Sequence, residues 1–331
     1  MLKLKRIMIE YENLIAQNSQ FCSLIKEEVN CNSFIFESSD EIYLKNFAYE
    51  FAKFLFCTGD QKPCNKCLMC EKMSLLALSD LTIFPKDGKT ILTEDIKDLI
   101  EKVYLSPMES DKKVFILENF SSATISAQNK LLKILEEPPK DVYIILCVQN
   151  ASKVLPTILS RCKKTVLKPL CDREIKSVLQ NEMGVREEEI LSSSSGNLTK
   201  ALSYSRDEEF LSLYSNTLGC ITQMKNSSEV IRFSYKLSQY KGKIVTILEL
   251  FESFFRDLLM IRLGKEELVR NKNVKNNLKK VLFEYNGDSL DLIIRKIYDI
   301  KKQVDFNCNQ SLLIDNFLLY ILEVKYLCNN K

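Results

Sequence analysis

This sequence predicts an α/β domain built on a parallel sheet, followed by helices to its end. Short apolar runs rich in β-branched and aromatic residues alternate with helical patterns over roughly the first 165 residues. The strand signals then stop at Pro169. Glycine (8) and proline (7) are scarce among 331 residues, and abundant Lys, Glu, Leu and Ile favour helix.

The strand runs are Ser33–Glu37 (SFIFE), Leu81–Pro85 (LTIFP), Lys113–Glu118 (KVFILE) and Val142–Val148 (VYIILCV), with a shorter fifth at Thr165–Leu167. Near-continuous apolar strands suit a parallel sheet covered on both faces. Helical patterns at Asp40–Phe56, Thr93–Tyr104 and Ser121–Glu136 separate them. In the last, Ala123, Ala127, Leu131, Ile134 and Leu135 form one face, Ser121 or Ser122 is placed to cap the start, and Pro138-Pro139 ends it. Beyond Pro169, Asp172–Met183, Glu187–Leu191 and Asn197–Tyr204 read as short helices broken at Gly184 and Gly196. Long helical patterns follow, clearest at Ile244–Arg262 and Leu312–Leu327. Arg270–Lys280 carries five basic residues (Arg270, Lys272, Lys275, Lys279, Lys280) and no acid, which reads as a solvated face or as a weak DNA or partner contact.

Composition is ordinary for a soluble protein, at 46% hydrophobic and 27% charged. A net charge of +3 is too small to argue for nucleic acid by itself. The basic start MLKLKRIMIEYENL is interrupted by Glu10 and Glu12, so it reads as neither signal peptide nor anchor, and a cytoplasmic location is expected. The chain has no histidine. That removes Ser-His and Cys-His nucleophile pairs and leaves a zinc ion only Cys, Asp, Glu or water as ligands.

Four of the twelve cysteines stand close together in CTGDQKPCNKCLMC: Cys57, Cys64, Cys67 and Cys70. The C-x-x-C steps let neighbouring sulfurs converge on one ion, and Cys57 can complete a tetrahedron. Four thiolate ligands leave no open position, so such a site is structural. Lys62, Lys66 and Lys72 lie near enough in sequence to offset its charge. The other eight, Cys22, Cys31, Cys147, Cys162, Cys171, Cys220, Cys308 and Cys328, read as small buried hydrophobes in a reducing compartment.

An α/β domain of this order invites a search for a phosphate loop. The first strand is followed by Ser38, Ser39, Asp40, Glu41, Ile42, Tyr43, Leu44 and Lys45, and the first glycine of the chain is Gly59. A P-loop needs glycines there so that its backbone N–H groups can curl around phosphate. Asp40 and Glu41 place anions where phosphates would sit, and Tyr43 is bulky where the loop needs freedom. Gly88-Lys89-Thr90 imitates the end of such a motif, but Ile83 stands at its first glycine position, and it reads as a turn. The third strand ends in Glu118-Asn119, where a nucleotide hydrolase carries an Asp-Glu pair. Just before the fifth strand, ILSRC places Ser160, Arg161 and Cys162. Arg161 reads either as a structural ion pair or as an arginine finger for a neighbour's γ-phosphate, which its planar fork suits.

The segments CNKCLMC, FPKDGKTILTEDIKDLI, QNKLLKILEEPP, ILSRC and DFNCNQSLLIDNFLLYIL resemble the clamp-loader family of bacterial DNA polymerase III. Within it they resemble the delta-prime branch more than the ATP-hydrolysing gamma/tau branch. The resemblance covers essentially the whole chain and is strongest from Cys57 to Pro169. It implies an AAA+ module over residues 1–167 with a zinc-binding insertion at 57–70, a three-helix lid over 168–207 and an all-α collar over 208–331. It implies a ring in which gamma/tau and delta subunits are partners, the sliding clamp is reached indirectly, and primed DNA is a further contact. It implies that Cys57, Cys64, Cys67 and Cys70 bind structural zinc, that the chain binds and hydrolyses no ATP, and that Arg161 projects into the adjacent gamma/tau site. The interval between Cys57 and Cys64 is shorter than usual in the family. Thr199, followed by Lys200, stands where ATP-using members carry an Arg after the lid glycine, here Gly196.

Other readings stay open on the sequence alone. An active gamma/tau-type ATPase is opposed by the missing glycine loop. The Pro63-Cys64-x-x-Cys67 segment is shared with zinc deaminases, yet this chain lacks their upstream His-x-Glu or Cys-x-Glu. The spacing is also that of an iron–sulfur site, but this chain lacks the Cys-Pro that usually ends such a motif. The four thiols could also be reduced and metal-free.

Overall fold

A computed structural model of the chain describes residues 14–16, 18–26, 31–86, 90–179, 183–304 and 309–329. The Gly88-Lys89 turn, the basic start, and Cys308 lie outside the described residues. The chain divides into two compact units, one reaching to Val178 and including Gly196–Lys200, the other comprising Leu179–Ser195 and everything from Ala201 onward.

The first unit is built on β1 (Ser33–Glu37), β2 (Leu81–Phe84), β3 (Lys113–Leu117), β4 (Val142–Val148) and β5 (Lys163–Val166), all parallel, in the order β2-β3-β4-β1-β5. The fifth strand starts two residues earlier than its apolar signal, at two lysines that sit on the sheet's edge. Its helices are α1 (Ser19–Lys26), α2 (Glu41–Phe56), α3 (Leu68–Ser74), α4 (Thr93–Val103), α5 (Ile125–Glu136), α6 (Pro156–Leu159) and α7 (Asp172–Leu179).

Alternation along β1 explains why both faces are covered. Phe34 and Phe36 meet Phe51 of α2 edge-on at centroid distances of 4.8 and 5.3 Å, and Phe36 meets Phe47 at 5.0 Å. Ile35, between them, points to the opposite core with Phe115, Leu117, Ile144, Leu146 and the apolar faces of α4 and α5. The cap of α5 is Thr124, whose hydroxyl accepts from Ala127 N at 3.2 Å, and not Ser121 or Ser122. Asn119 turns left-handed at φ 49° and starts a 3-10 turn over Phe120–Ser122, so the helix begins later than its apolar pattern. Ser121 Oγ is diverted to accept from Gln149 N and Asn150 N at the end of β4.

The second unit is helical: α8 (Glu187–Ser194), α9 (Leu198–Arg206, whose first turn belongs to the first unit), α10 (Phe210–Gln223), α11 (Ser227–Ser238), α12 (Ile244–Arg262), α13 (Lys275–Val281), α14 (Gly287–Val304) and α15 (Gln310–Asn329). α12 is apolar on most of its circumference and is correspondingly buried. Phe251, Phe254 and Phe255 each meet another ring, those of Phe317, Tyr214 and Tyr285, at 5.1, 5.0 and 5.6 Å. Lys325 is buried, yet its ammonium donates to Ile221 O and Met224 O and pairs with Glu284 at 2.8 Å. Among the described residues no helix is long and apolar enough to cross a membrane. The scattered cysteines follow expectation in part: Cys147 and Cys220 are buried, Cys22, Cys31 and Cys162 half-buried, and Cys171 exposed.

One buried carboxylate fixes the loop between α4 and β3. Asp80 is 2% exposed and accepts from the N–H groups of Met108, Glu109 and Ser110 at 2.7, 2.8 and 2.8 Å. Burial by itself would raise its pKa, but the three amides outweigh burial and hold it below the ordinary carboxylate range. Its contribution to stability is therefore present above that range and lost as pH falls through the lowered pKa. Asp80→Ala is expected to lower the unfolding free energy by about 2–3 kcal/mol at pH 7, because three donors lose their acceptor. In urea titrations the wild-type advantage should shrink toward zero as the buffer is taken below the carboxylate range.

Candidate functional site

In open parallel sheets ligands bind beyond the carboxyl ends of the strands. At that edge lie the segment after β1 (Ser38, Ser39, Asp40), Glu118 after β3, and the turn after β4. Ser38 and Ser39 lie between β1 and α2, Asp40 caps α2, and Glu41, Tyr43 and Lys45 fall in its first turns. Asp40 is its N-cap and accepts from Tyr43 N at 3.1 Å. The same carboxylate, 4% exposed, accepts from the N–H groups of Leu198 and Thr199 and from Thr199 Oγ1 at 2.7 Å. Thr199 Oγ1 in turn accepts from Ile42 N at 2.9 Å, and Asn197 Nδ2 donates to Ser39 O at 3.3 Å. The first turns of α2 and α9 thus meet on one carboxylate.

Gly196 makes this approach possible. It adopts φ +81°, and a Cβ there would lie 2.6 Å from Leu170 O. Tyr43 does not project into the loop. It is 1% exposed, its ring packs on Phe47 and its hydroxyl accepts from Asn18 Nδ2 at 2.9 Å.

Glu118 is equally engaged. It is 9% exposed, accepts from Tyr49 OH, and pairs with the Lys45 ammonium at 3.1 Å. Lys45 also pairs with Glu41 at 2.8 Å. Burial would lower the Lys45 pKa, but the two carboxylates outweigh it and raise the pKa. Burial first, and Glu118 second, push the Tyr49 hydroxyl well above its usual range. A cation and a hydroxyl from the chain itself satisfy the one carboxylate that a magnesium ion would need.

The four cysteines come together. Their sulfurs all lie within 4.8 Å of one another, with Cys64–Cys70 and Cys57–Cys67 separations of 4.0 Å. A tetrahedron with Zn–S bonds of about 2.3 Å has edges of about 3.8 Å, so the set fits one zinc-sized ion with little movement. Backbone N–H groups of Gly59 and Cys64 point at Cys57 Sγ, that of Cys67 at Cys64 Sγ and that of Cys70 at Cys67 Sγ, at 3.3–3.5 Å. Such donors favour thiolates. Cys67 is resisted by burial, but the Thr58 and Cys70 amides outweigh it and pull the thiol down to about 5. Gly59 is required, since a Cβ would fall 2.8 Å from Cys64 Cβ. Lys72 directs its ammonium to Glu109 at 2.6 Å, so of the three nearby lysines it is committed elsewhere.

Arg161 lies in the turn between α6 and β5. Its Nη2 pairs with Glu136 Oε1 at 2.7 Å and its Nη1 donates to Thr157 O at 2.8 Å. Ser160 Oγ donates to Thr157 O, while Cys162 packs against the core, where burial pushes its thiol up to about 12. Sequence reasoning missed Glu136, Tyr49 and Gln128. Gln128 is buried and donates to Ala123 O and Lys153 O while accepting from Leu155 N at 2.9 Å. Its signal was a polar residue beside the apolar face of α5.

A family model described as DNA polymerase III, delta subunit, matches residues 16–171. The DNA polymerase III subunit delta' of Bacillus subtilis is 24% identical over 90% of this chain and 93% of its own length. The tau subunit of the same organism is 29% identical over 64% of this chain, but that stretch spans only 42% of tau. A crystal structure of a DNA polymerase III gamma subunit-related protein from Thermotoga maritima aligns with 92% of this chain and 97% of its own, at 20% identity and a TM-score of 0.45. With its five-stranded parallel sheet, its helical second unit and relatives along nearly its whole length, this chain is similar to the delta', gamma and tau subunits of DNA polymerase III.

Proposed function

We propose that this chain is a non-hydrolysing, delta-prime-type subunit of the clamp loader, acting on ATP only through a neighbour. The observation that carries this reading is the Asp40 carboxylate, held by four donors from two helix starts where a nucleotide phosphate would sit. The Lys45–Glu118 pair supports it, because it engages the acid that would otherwise hold magnesium. Residues 1–167 act as the AAA+ core, 168–207 as the lid and 208–331 as the collar that joins subunits into a ring. The partners are gamma/tau and delta subunits, with the sliding clamp reached through them and primed DNA within the ring, in the cytoplasm.

Arg161 acts in trans. Its guanidinium is one-third exposed, and a planar, permanently charged fork suits two oxygens of a neighbour's γ-phosphate. No proton moves on Arg161, whose contribution is charge placed where the transferring phosphoryl group gains it. Cys57, Cys64, Cys67 and Cys70 hold zinc as a structural cross-link between the end of α2 and the start of α3. The ion closes a loop and takes no part in hydrolysis.

In a loader reconstituted with gamma/tau, delta, clamp and primed DNA, Arg161→Ala should reduce ATP hydrolysis at least tenfold, within the roughly 10³–10⁵ that such an arginine can contribute. Assembly should be intact by size-exclusion chromatography. An unchanged rate would sink the in-trans role. Calorimetric titration of the isolated chain with Mg-ATP should show no binding at millimolar nucleotide, and micromolar affinity would return the chain to the active-ATPase reading. Asp40→Ala should lower unfolding stability by about 2–4 kcal/mol, since buried donors from two helix starts are orphaned. Metal analysis should find one zinc per colourless chain, and Cys64→Ser should lose the metal together with thermal stability. A brown protein, or a full-strength fold without metal, would overturn the zinc assignment.

A further inference from the structure

We infer that Glu136 is the positioning residue for Arg161. The inference rests on the in-trans reading of Arg161 and goes beyond it by naming the group that aims the guanidinium. Glu136 is the last residue of α5, and Glu137 follows it as the cap. Two carboxylates at a helix C-terminus face the unpaired carbonyls and the negative end of the dipole, which is locally unfavourable. Lys133, one turn earlier, is the basic residue in the last turn of α5. Glu136 nevertheless pairs with a cation from another element, Arg161, at 2.7 Å. Local rules broken without a local reason mark positions kept for function.

The geometry holds the fork on two sides. Glu136 engages Nη2, and Thr157 O in α6 engages Nη1 at 2.8 Å. The guanidinium is planar, so two fixed terminal nitrogens define its plane. The two supports are themselves tied together. Gln128 in α5 donates to Lys153 O and accepts from Leu155 N, the residue that starts α6. Glu136 and Thr157 therefore stand on one braced frame, and Arg161 meets a neighbour's phosphate already oriented. The Glu136 side chain is 49% exposed and that of Arg161 34%. An ion pair this open adds little to stability. Its effect is to narrow the rotamers of a long side chain before the phosphate arrives, which reduces the ordering cost at the transition state.

The test uses the reconstituted loader with clamp, primed DNA and ATP, and compares Glu136→Ala, Arg161→Ala and the double variant with wild type. Glu136→Ala is expected to lower kcat about fivefold while KM for ATP stays within about twofold, because orientation and not substrate binding is lost. In the Arg161→Ala background the same change should have no further effect, since a residue acting through Arg161 has nothing left to position. Glu136→Gln, which keeps volume and an acceptor, should fall between wild type and Glu136→Ala, which separates positioning from a packing defect. Wild-type kcat in Glu136→Ala beside a collapsed Arg161→Ala overturns this inference alone. An equal loss in both backgrounds also overturns it. An unchanged Arg161→Ala overturns the reading beneath it as well.

Discussion

One carboxylate organises the carboxyl edge of the parallel sheet. Asp40 joins the first turn of α2 to the first turn of α9, and both turns present N–H groups that have no partner within their own helices. Each helix start carries about half a positive charge, so two of them converging demand an anion. In a nucleotide-binding fold a phosphate can meet that demand. Here a carboxylate of the chain itself accepts from both helix starts. The placement of Gly196–Lys200 with the sheet-bearing unit follows from the same contacts.

The cationic half of the site is built in the same manner. A magnesium ion would be held by acids at the end of β3, and Glu118 remains there but is matched by Lys45 and Tyr49. Removing one partner of a largely buried pair leaves an uncompensated charge, which costs roughly 3–5 kcal/mol. A metal ion at Glu118 would have to displace Lys45. Under the proposed reading, Asp40 would stand in for a phosphate and Lys45 for the metal, both from the start of α2.

How much of this was legible depended on whether the information was local. The apolar runs of β1 and β4 gave their bounds, because a strand buried on both faces has little choice of residue. The cysteine spacing predicted a cluster that does form, since its ligands are sequence neighbours. The partners of Asp40 were not legible in the sequence, because Leu198 and Thr199 stand about 160 residues away from it. Glu136 was hidden for the same reason. Within QNKLLKILEEPP it looks like surface charge, and only the return of the chain through α6 shows that an arginine faces it. The Thr124 cap was missed because Asn119 takes a left-handed turn, a local backbone choice that competes with the apolar pattern.

The basic stretch Arg270–Lys280 shows how far a run of like charge can mislead. Lys275 and Lys279 both pair with Glu266, at 2.9 and 2.7 Å, although that acid lies before the run begins. The two ammonium groups, Lys279 first, hold the Glu266 carboxyl down at about 2, so the pairing persists throughout the neutral range. Each phosphate neutralised by a protein steepens the salt dependence of DNA binding by about 0.9 in log–log slope. Two of five cations already facing a carboxylate would have to exchange partners before adding to that slope. The stretch therefore presents to a polyanion a weaker field than its sequence suggests, and the internal ion pairs instead brace α13 against the turn that precedes it.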